Sequence, residues 1–138
     1  MKQNTREVTI EWGDCDPAGI VFYPRYFEMF NVSTGQLFEA ALGCKEIEFF
    51  RKFEIIGYPM VETKANFKKP SAYGDVVSIT TEVTSFGRSS FEIRHQLFKG
   101  AELAIEGYEK RVWAAVDPND AKKIISKQID IEVINALS

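Results

Sequence analysis

Apolar residues recur along the chain at two periods. Over Glu7–Trp12 the apolar Val8, Ile10 and Trp12 alternate with polar neighbours, which predicts a short strand. The Gly, Asp and Pro residues between Gly13 and Gly19 break it. From Tyr23 to Leu42 the period lengthens. Tyr26, Met29, Phe30, Ser33, Leu37 and Ala41 recur at spacings of three and four, which predicts a helix. Phe27, Val32, Phe38, Ala40 and Leu42 widen the stripe, and a helix apolar over so much of its circumference is largely buried. Pro24 suits the first turn, where a missing N–H costs nothing, and Gly43 suits the end. Gly35 inside the helix costs about 1 kcal/mol relative to Ala; it marks a close backbone approach.

Lys45–Tyr58 is rich in Phe and Ile and reads as a short helix or a loop. Period two then returns. Val61, Thr63, Ala65 and Phe67 share one face, as do Val77, Ile79, Thr81 and Val83, and then Phe91, Ile93, His95 and Leu97. Glu102–Val116 predicts a longer strand that stops before Asp117-Pro118. The turns are Pro70–Asp75 and Phe86–Ser89. The tail, Ile124–Leu137, predicts a short extended piece and then an amphipathic helix carrying Ile129, Val133, Ile134 and Leu137. One strand, one buried helix and four consecutive antiparallel strands give an α+β fold. The sheet has a face that needs cover, and the long helix alone can supply it. Such a sheet also has edges that invite pairing across a two-fold axis. The length fits one domain over residues 1–138.

Composition narrows the chemistry. A net charge of -3 disfavours a nucleic-acid partner, which needs clustered basic charge. Two cysteines, Cys15 and Cys44, make no disulfide framework, and a single His with no Cys-x-x-Cys makes no structural zinc site. No apolar run follows the N-terminus, and none approaches the ~20 residues of a membrane span. A reduced, cytoplasmic protein without a membrane segment is expected.

The segment Asp14–Tyr26 carries the strongest chemical signal. It sets a carboxylate shortly before a helix start. Asp16 precedes Pro17 and is therefore biased toward an extended backbone, and Ala18-Gly19 lets the chain turn tightly. The first N–H groups of the helix have no intrahelical partner and carry the positive end of its dipole. Such a terminus can stabilise the oxyanion of a tetrahedral transition state, an effect worth about 2.7–4 kcal/mol per donor. A nearby carboxylate can attack a carbonyl or activate water. Local chemistry alone favours the simpler reading of Asp16 as a cap or turn residue, with Asp14 the better cap of the two.

The string Gly13-Asp14-Cys15-Asp16-Pro17-Ala18-Gly19-Ile20-Val21-Phe22-Tyr23-Pro24 closely resembles the signature of the 4-hydroxybenzoyl-CoA thioesterase family. Gly57-Tyr58-Pro59-Met60-Val61, Ala65-Asn66-Phe67, Gly74-Asp75, Ser90-Phe91, Arg94-His95 and Arg111-Val112 extend the resemblance over most of the chain. It implies the hot-dog fold, a sheet wrapped around one long helix, and hydrolysis of an acyl-CoA thioester. It implies Asp16 as the catalytic acid, as nucleophile or general base, and the Tyr23 backbone N–H as the group polarising the carbonyl. Tyr26 would line the acyl pocket and Arg88 would meet the CoA phosphates. The family member specific for 4-hydroxybenzoyl has Asp at the position of Asn31, where it meets the ring hydroxyl, and three consecutive basic residues in the turn that here reads Gly87-Arg88-Ser89. Lys64, Lys68 or Lys69 would then share the phosphate contacts. No cofactor is implied, because CoA is part of the substrate. Family members are dimers or dimers of dimers with sites between subunits, so Arg88 and the Tyr58–Pro59 region would face the Asp16 of a neighbour, as in a homotetramer.

The remaining candidates have bland readings. His95 lies on an apolar strand face without an acidic partner visible in the sequence. Cys15 has no His beside it and reads as a small hydrophobe. Glu28 and Glu39 on the helix read as surface charges. The leading function is hydrolysis of an aromatic acyl-CoA. Short aliphatic acyl-CoA, a non-catalytic acyl-CoA-binding module and a hydratase built on His95 are the alternatives.

Overall fold

The computed structural model describes residues Met1–Ser138. Five strands make one sheet: β1 (Gln3–Thr9), β2 (Met60–Phe67), β3 (Val76–Phe86), β4 (Ser90–Lys99) and β5 (Glu102–Val112). Their order is β1-β3-β4-β5-β2, and every pair is antiparallel. The long helix α1 (Pro24–Leu42) covers the inner face, followed by the short helix α2 (Glu46–Lys52). A separate two-stranded ribbon, β6 (Ala114–Asp117) and β7 (Asp120–Ser126), precedes the C-terminal helix α3 (Ile131–Leu137). This is the expected α+β hot-dog arrangement.

The period-two faces of β3 and β4 are the ones that turn inward. Val77, Ile79, Thr81 and Val83 are buried, and so are Phe91, Ile93, His95 and Leu97. Against them α1 buries Tyr26, Met29, Phe30, Leu37 and Phe38. The apolar core falls into two clusters. One surrounds the start of α1, with Ile10, Tyr26, Phe30, Val77, Leu97 and Ile105. The other surrounds its end, with Leu37, Phe38, Val83, Phe91, Ile93 and Trp113. Between them, at one level, lie the buried Thr34, Thr81, His95 and Glu109, one from each of α1, β3, β4 and β5.

Two glycines make room at close approaches. A Cβ on Gly107 would sit 2.6 Å from Phe30 Cε2. Without it, the Phe30 ring lies flat on His95, with centroids 4.6 Å apart. At Gly35 the close approach is made not by backbone, as expected, but by the Glu46 side chain of α2, 2.6 Å from where a Cβ would stand.

Three elements differ from the sequence expectation. β1 spans Gln3–Thr9 rather than Glu7–Trp12, because its pairing partner β3 begins at Val76, opposite Thr9. Trp12 instead enters a 3-10 turn and is 76% exposed. The long strand to Val116 divides at Trp113. There the backbone leaves the sheet, donating from Trp113 N–H to Ser89 O (2.7 Å) and from Ala114 N–H to Gly57 O (3.0 Å). Finally, only β3, β4 and β5 are consecutive hairpins. β2 pairs with β5 at the far edge, so the connection from Lys68 to Asp75 crosses the end of the sheet. That crossover is pinned to the segment following β1: Gly74 N–H donates to Ile10 O (2.9 Å) and Ile10 N–H to Asp75 O (2.8 Å).

Candidate active site

The crossover supports a small closed loop containing Asp16. Cys15 bridges Val21, Asp16 N–H donates to Ile20 O (3.0 Å), and Gly19 N–H donates back to Asp16 O (2.9 Å). Gly19 turns the loop at φ +82°, a left-handed conformation that costs other residues about 1–2 kcal/mol. Val21 N–H donates to Ser71 O (2.9 Å), tying the loop to the crossover. Asp16 Oδ1 accepts from Ala18 N–H (2.9 Å), the turn role expected of an isolated Asp. Asp14 Oδ2 accepts from Glu11 N–H (2.9 Å) and caps the preceding 3-10 turn, which leaves Asp16 as the acid facing the cleft.

Helical backbone begins at Tyr23 (φ -52°, ψ -34°), with Pro24 in the first turn. Phe22 N–H donates to Asp14 O (2.8 Å), Arg25 N–H to Phe22 O (2.9 Å) and Tyr26 N–H to Tyr23 O (3.1 Å), and Pro24 has no N–H. The Tyr23 N–H donates to nothing in the chain. It is thus the unclaimed donor at the positive end of α1.

Two clefts flank the loop. One, of about 380 Å³, is lined by Asp16, Cys15 and Gly19 and walled by Trp12 and Tyr73, whose rings meet edge to face at 5.7 Å. The other, of about 330 Å³, is lined by Tyr23, Tyr26, Phe67, Lys68 and Lys69. Burial raises the pKa of Tyr26, whose hydroxyl sits beside that of Ser71, neither in a well-formed hydrogen bond. Lys69 pairs with Glu102 (2.7 Å), Lys64 Nζ stands 4.8 Å over the Tyr108 ring, and Lys68 has no acidic partner.

Asp16 lines one cleft and Tyr23 and Tyr26 line the other, on either side of one loop, while Asn31 and Tyr58 come together elsewhere. Arg111 donates through Nη2 to Asn31 Oδ1 (2.7 Å), through Nη1 to Tyr58 O (3.2 Å) and through Nε to Glu109 Oε1 (2.8 Å). The Tyr58 hydroxyl donates to Glu46 (2.5 Å); burial first, then that carboxylate, push its pKa upward. Arg88 stands apart, exposed in the β3–β4 turn. The length of β3 separates it from the Asp16 loop, roughly 33 Å at the usual rise per residue.

The polar layer across the core is the group that sequence reasoning missed. Glu109 accepts from Thr34 Oγ1 (2.7 Å) and Arg111, and its Oε2 lies 3.0 Å from His95 Nε2. Thr81 Oγ1 meets His95 Nδ1 at 2.7 Å. Burial alone would raise the Glu109 carboxyl, but His95 and Arg111 together hold it below the usual carboxylate range. His95 does have an acidic partner, yet the pair is sealed, at 0% and 1% side-chain exposure. No substrate reaches it, so it offers a hydratase no base. A signal was available in β5, where strict alternation puts Gly107, Glu109 and Arg111 on the inward register of Ile105.

Glu28 keeps its surface role, paired with Arg25 (3.0 Å), whereas Glu39 is half-buried and accepts from Glu46 N–H (3.0 Å), tying α1 to the start of α2. Cys15 Sγ faces Glu11 O at 3.7 Å. No group of three or more His, Cys, Asp or Glu side chains is arranged to hold a metal ion, and no helix is long and apolar enough to cross a membrane.

The sequence profile of the thioesterase-like superfamily matches residues 10–125, from just before the Asp16 loop to β7. The chain belongs to the thioesterase-like superfamily. Within that superfamily it is 29% identical over 139 aligned residues to 4-hydroxybenzoyl-CoA thioesterase of Pseudomonas sp. strain CBS-3, covering 97% of this chain and 96% of that one. A mutant of 4-hydroxybenzoyl-CoA thioesterase solved with 4-hydroxybenzoyl-CoA superposes with a TM-score of 0.89 at 29% identity over 100% of both chains. A gentisyl-coenzyme A thioesterase superposes with a TM-score of 0.83 at 29% identity, covering 98% of this chain and 100% of that one.

Proposed function

We propose that this thioester hydrolase acts on an aromatic acyl-CoA, with Asp16 as its catalytic carboxylate and the Tyr23 N–H as its oxyanion donor. The unclaimed Tyr23 N–H at the start of α1, across the Asp16 loop, is the observation that carries the reading. The thioester carbonyl oxygen accepts from Tyr23 N–H, which draws electron density from the carbonyl carbon. Asp16 then takes a proton from water as water adds, or adds to the carbon itself to give a mixed anhydride that water cleaves. Either way the C–S bond breaks, the thiolate gains a proton, and free acid and CoA leave. Tyr26 and Phe67 supply aromatic walls for the acyl group beside Tyr23. The relatives named for 4-hydroxybenzoyl and gentisyl groups, both hydroxylated benzoyl groups, support that preference.

Asp16→Asn is a clean test, because Asn keeps an oxygen to accept from Ala18 N–H while the charge is lost. The expected outcome is a fall in kcat of about 10²–10⁴-fold with an unchanged unfolding midpoint. A near-normal rate of thiol release would reduce Asp16 to a turn residue. A panel of aromatic and short aliphatic acyl-CoAs measures the acyl preference.

A second copy of the chain completes the site in this reading. Arg88 is too far from Asp16 to serve the same substrate within one chain. β2 supports the pairing: it is a sheet edge with Met60, Val61 and Phe67 exposed at 39%, 60% and 49%. In this reading the protein works as a dimer or dimer of dimers in the cytoplasm and uses no cofactor beyond the CoA of its substrate. Light scattering that shows a stable monomer would remove Arg88 and the Tyr58–Pro59 region from the site.

A further inference from the structure

The two clefts beside the Asp16 loop differ in charge. The one that Asp16 lines has Trp12, Cys15, Pro17, Gly19 and Tyr73 as its other walls, and no Lys or Arg. The one across the loop includes Lys68 and Lys69. Formal charge in the Asp16 cleft is therefore negative only. Asp16 Oδ1 accepts from Ala18 N–H, while Oδ2 has no partner in the chain. Asp16 takes part in no ion pair.

Trp12 and Tyr73 are 76% and 61% exposed, so neither ring is spent on the core. Their planes stand at 81° with centroids 5.7 Å apart, which makes an aromatic corner. Backbone hydrogen bonds build that corner in advance. Trp12 lies in a turn closed by Asp14 N–H to Glu11 O (3.1 Å) and Cys15 N–H to Trp12 O (3.2 Å). Tyr73 lies in a turn closed by Asp75 N–H to Ala72 O (3.0 Å) and Ala72 N–H to Asp75 Oδ2 (2.9 Å). The bonds between Ile10 and Gly74-Asp75 join the two turns. A ligand here has little ordering of the protein to offset.

The face of an aromatic ring carries negative partial charge and attracts cations, Trp most strongly. A carboxylate does the same. Two aromatic rings and one carboxylate of the same electrostatic preference thus share one cleft. A hard metal ion needs several oxygen ligands, and Asp16 is the sole acid lining the cleft. An alkylated ammonium needs none, because its methyl groups pack on the rings while its charge faces the carboxylate.

We propose that Trp12, Tyr73 and Asp16 form a binding site for a small organic cation of the quaternary ammonium class. Binding rests on the cleft alone. Its consequence rests on the reading of Asp16 above: a cation on the free oxygen neutralises the catalytic carboxylate and inhibits hydrolysis.

Calorimetry on the full chain compares choline with 3,3-dimethyl-1-butanol, its uncharged isostere, at matched ionic strength. Choline is expected to bind about tenfold more tightly. Asp16→Asn should weaken choline several-fold and leave the isostere unchanged. Trp12→Leu should also weaken choline, and Trp12→Phe should restore part of the loss; so exposed a position puts folding at little risk. Trp113, the other tryptophan, is fully buried, so quenching of fluorescence by choline reports on Trp12. Equal binding of choline and its isostere, binding of neither, or native-like choline binding by Asp16→Asn and Trp12→Leu would overturn the inference. Thiol release from acyl-CoA is then followed as choline fills the cleft, and it is expected to fall in step. Choline bound without inhibition would uphold the site and remove Asp16 from catalysis.

Discussion

Replacing Glu109 by Gln tests the buried polar layer most directly. The carboxylate is 1% exposed; its Oε1 accepts from Thr34 at 2.7 Å and Arg111 Nε at 2.8 Å, and its Oε2 lies 3.0 Å from His95 Nε2. A Gln side chain keeps one acceptor for Thr34 and Arg111. Its N–H2 faces His95, and the buried Arg111 charge loses its counter-ion. Removing one partner of a buried pair costs about 3–5 kcal/mol, largely through the orphaned charge. In a chain of this length that lowers Tm by roughly 10–15 °C. Equilibrium urea unfolding at fixed protomer concentration measures it, because association would shift the midpoint. Glu109→Leu combined with Arg111→Met removes both charges and should recover part of the loss. The pH dependence adds a second readout. The folded Glu109 carboxyl titrates below the usual carboxylate range, so its contribution is full above the unfolded value of about 4.3 and fades as pH falls through the folded value. The native protein and Glu109→Gln should therefore converge in stability in acid. A loss below about 1 kcal/mol at neutral pH, or a double variant no more stable than Glu109→Gln, would refute the reasoning.

Two other substitutions probe the core packing and the cleft. Gly107→Ala drives a methyl into the Phe30 ring and should destabilise by about 1–3 kcal/mol, read as a lower urea midpoint with an unchanged m-value. Lys68→Ala should raise KM for acyl-CoA several-fold and flatten its dependence on salt while leaving kcat near native, because Lys68 lines the cleft beside Tyr23 without an acidic partner; an unchanged KM would release Lys68 from phosphate contact.

The helix and the inner faces of β3 and β4 were legible because their apolar residues keep a strict period over several repeats. Boundaries were less so. Nothing local to Gln3–Arg6 announces a strand; these residues pair because β3 extends beside them. Trp113 continues the apolar alternation of β5, yet its backbone leaves the sheet to bond Ser89, a contact between distant segments. The β2–β5 pairing is also non-local, and no turn signal reveals that a strand returns to the far edge. At the site, the Asp16 motif and the helix start were readable from residue types and spacing. The partner of His95 was not, since Glu109 is distant in sequence and only sheet register brings the two together. The turn role of Asp16 and its proposed catalytic role coexist, because Ala18 occupies only one oxygen.

The uncovered edge of β2 has a consequence at the level of single amides. In an antiparallel edge strand, every second N–H points away from the sheet. Along Glu62–Phe67, past the irregularity between Met60 and Glu62, one set of amides bonds β5 and the alternate set points away from the sheet. Hydrogen exchange in the separated chain should therefore alternate between slow and fast along this strand. Pairing with a second copy through this edge would close the fast set and make the whole strand slow. Residue-resolved exchange across a dilution series thus turns a question of stoichiometry into a pattern of odd and even residues.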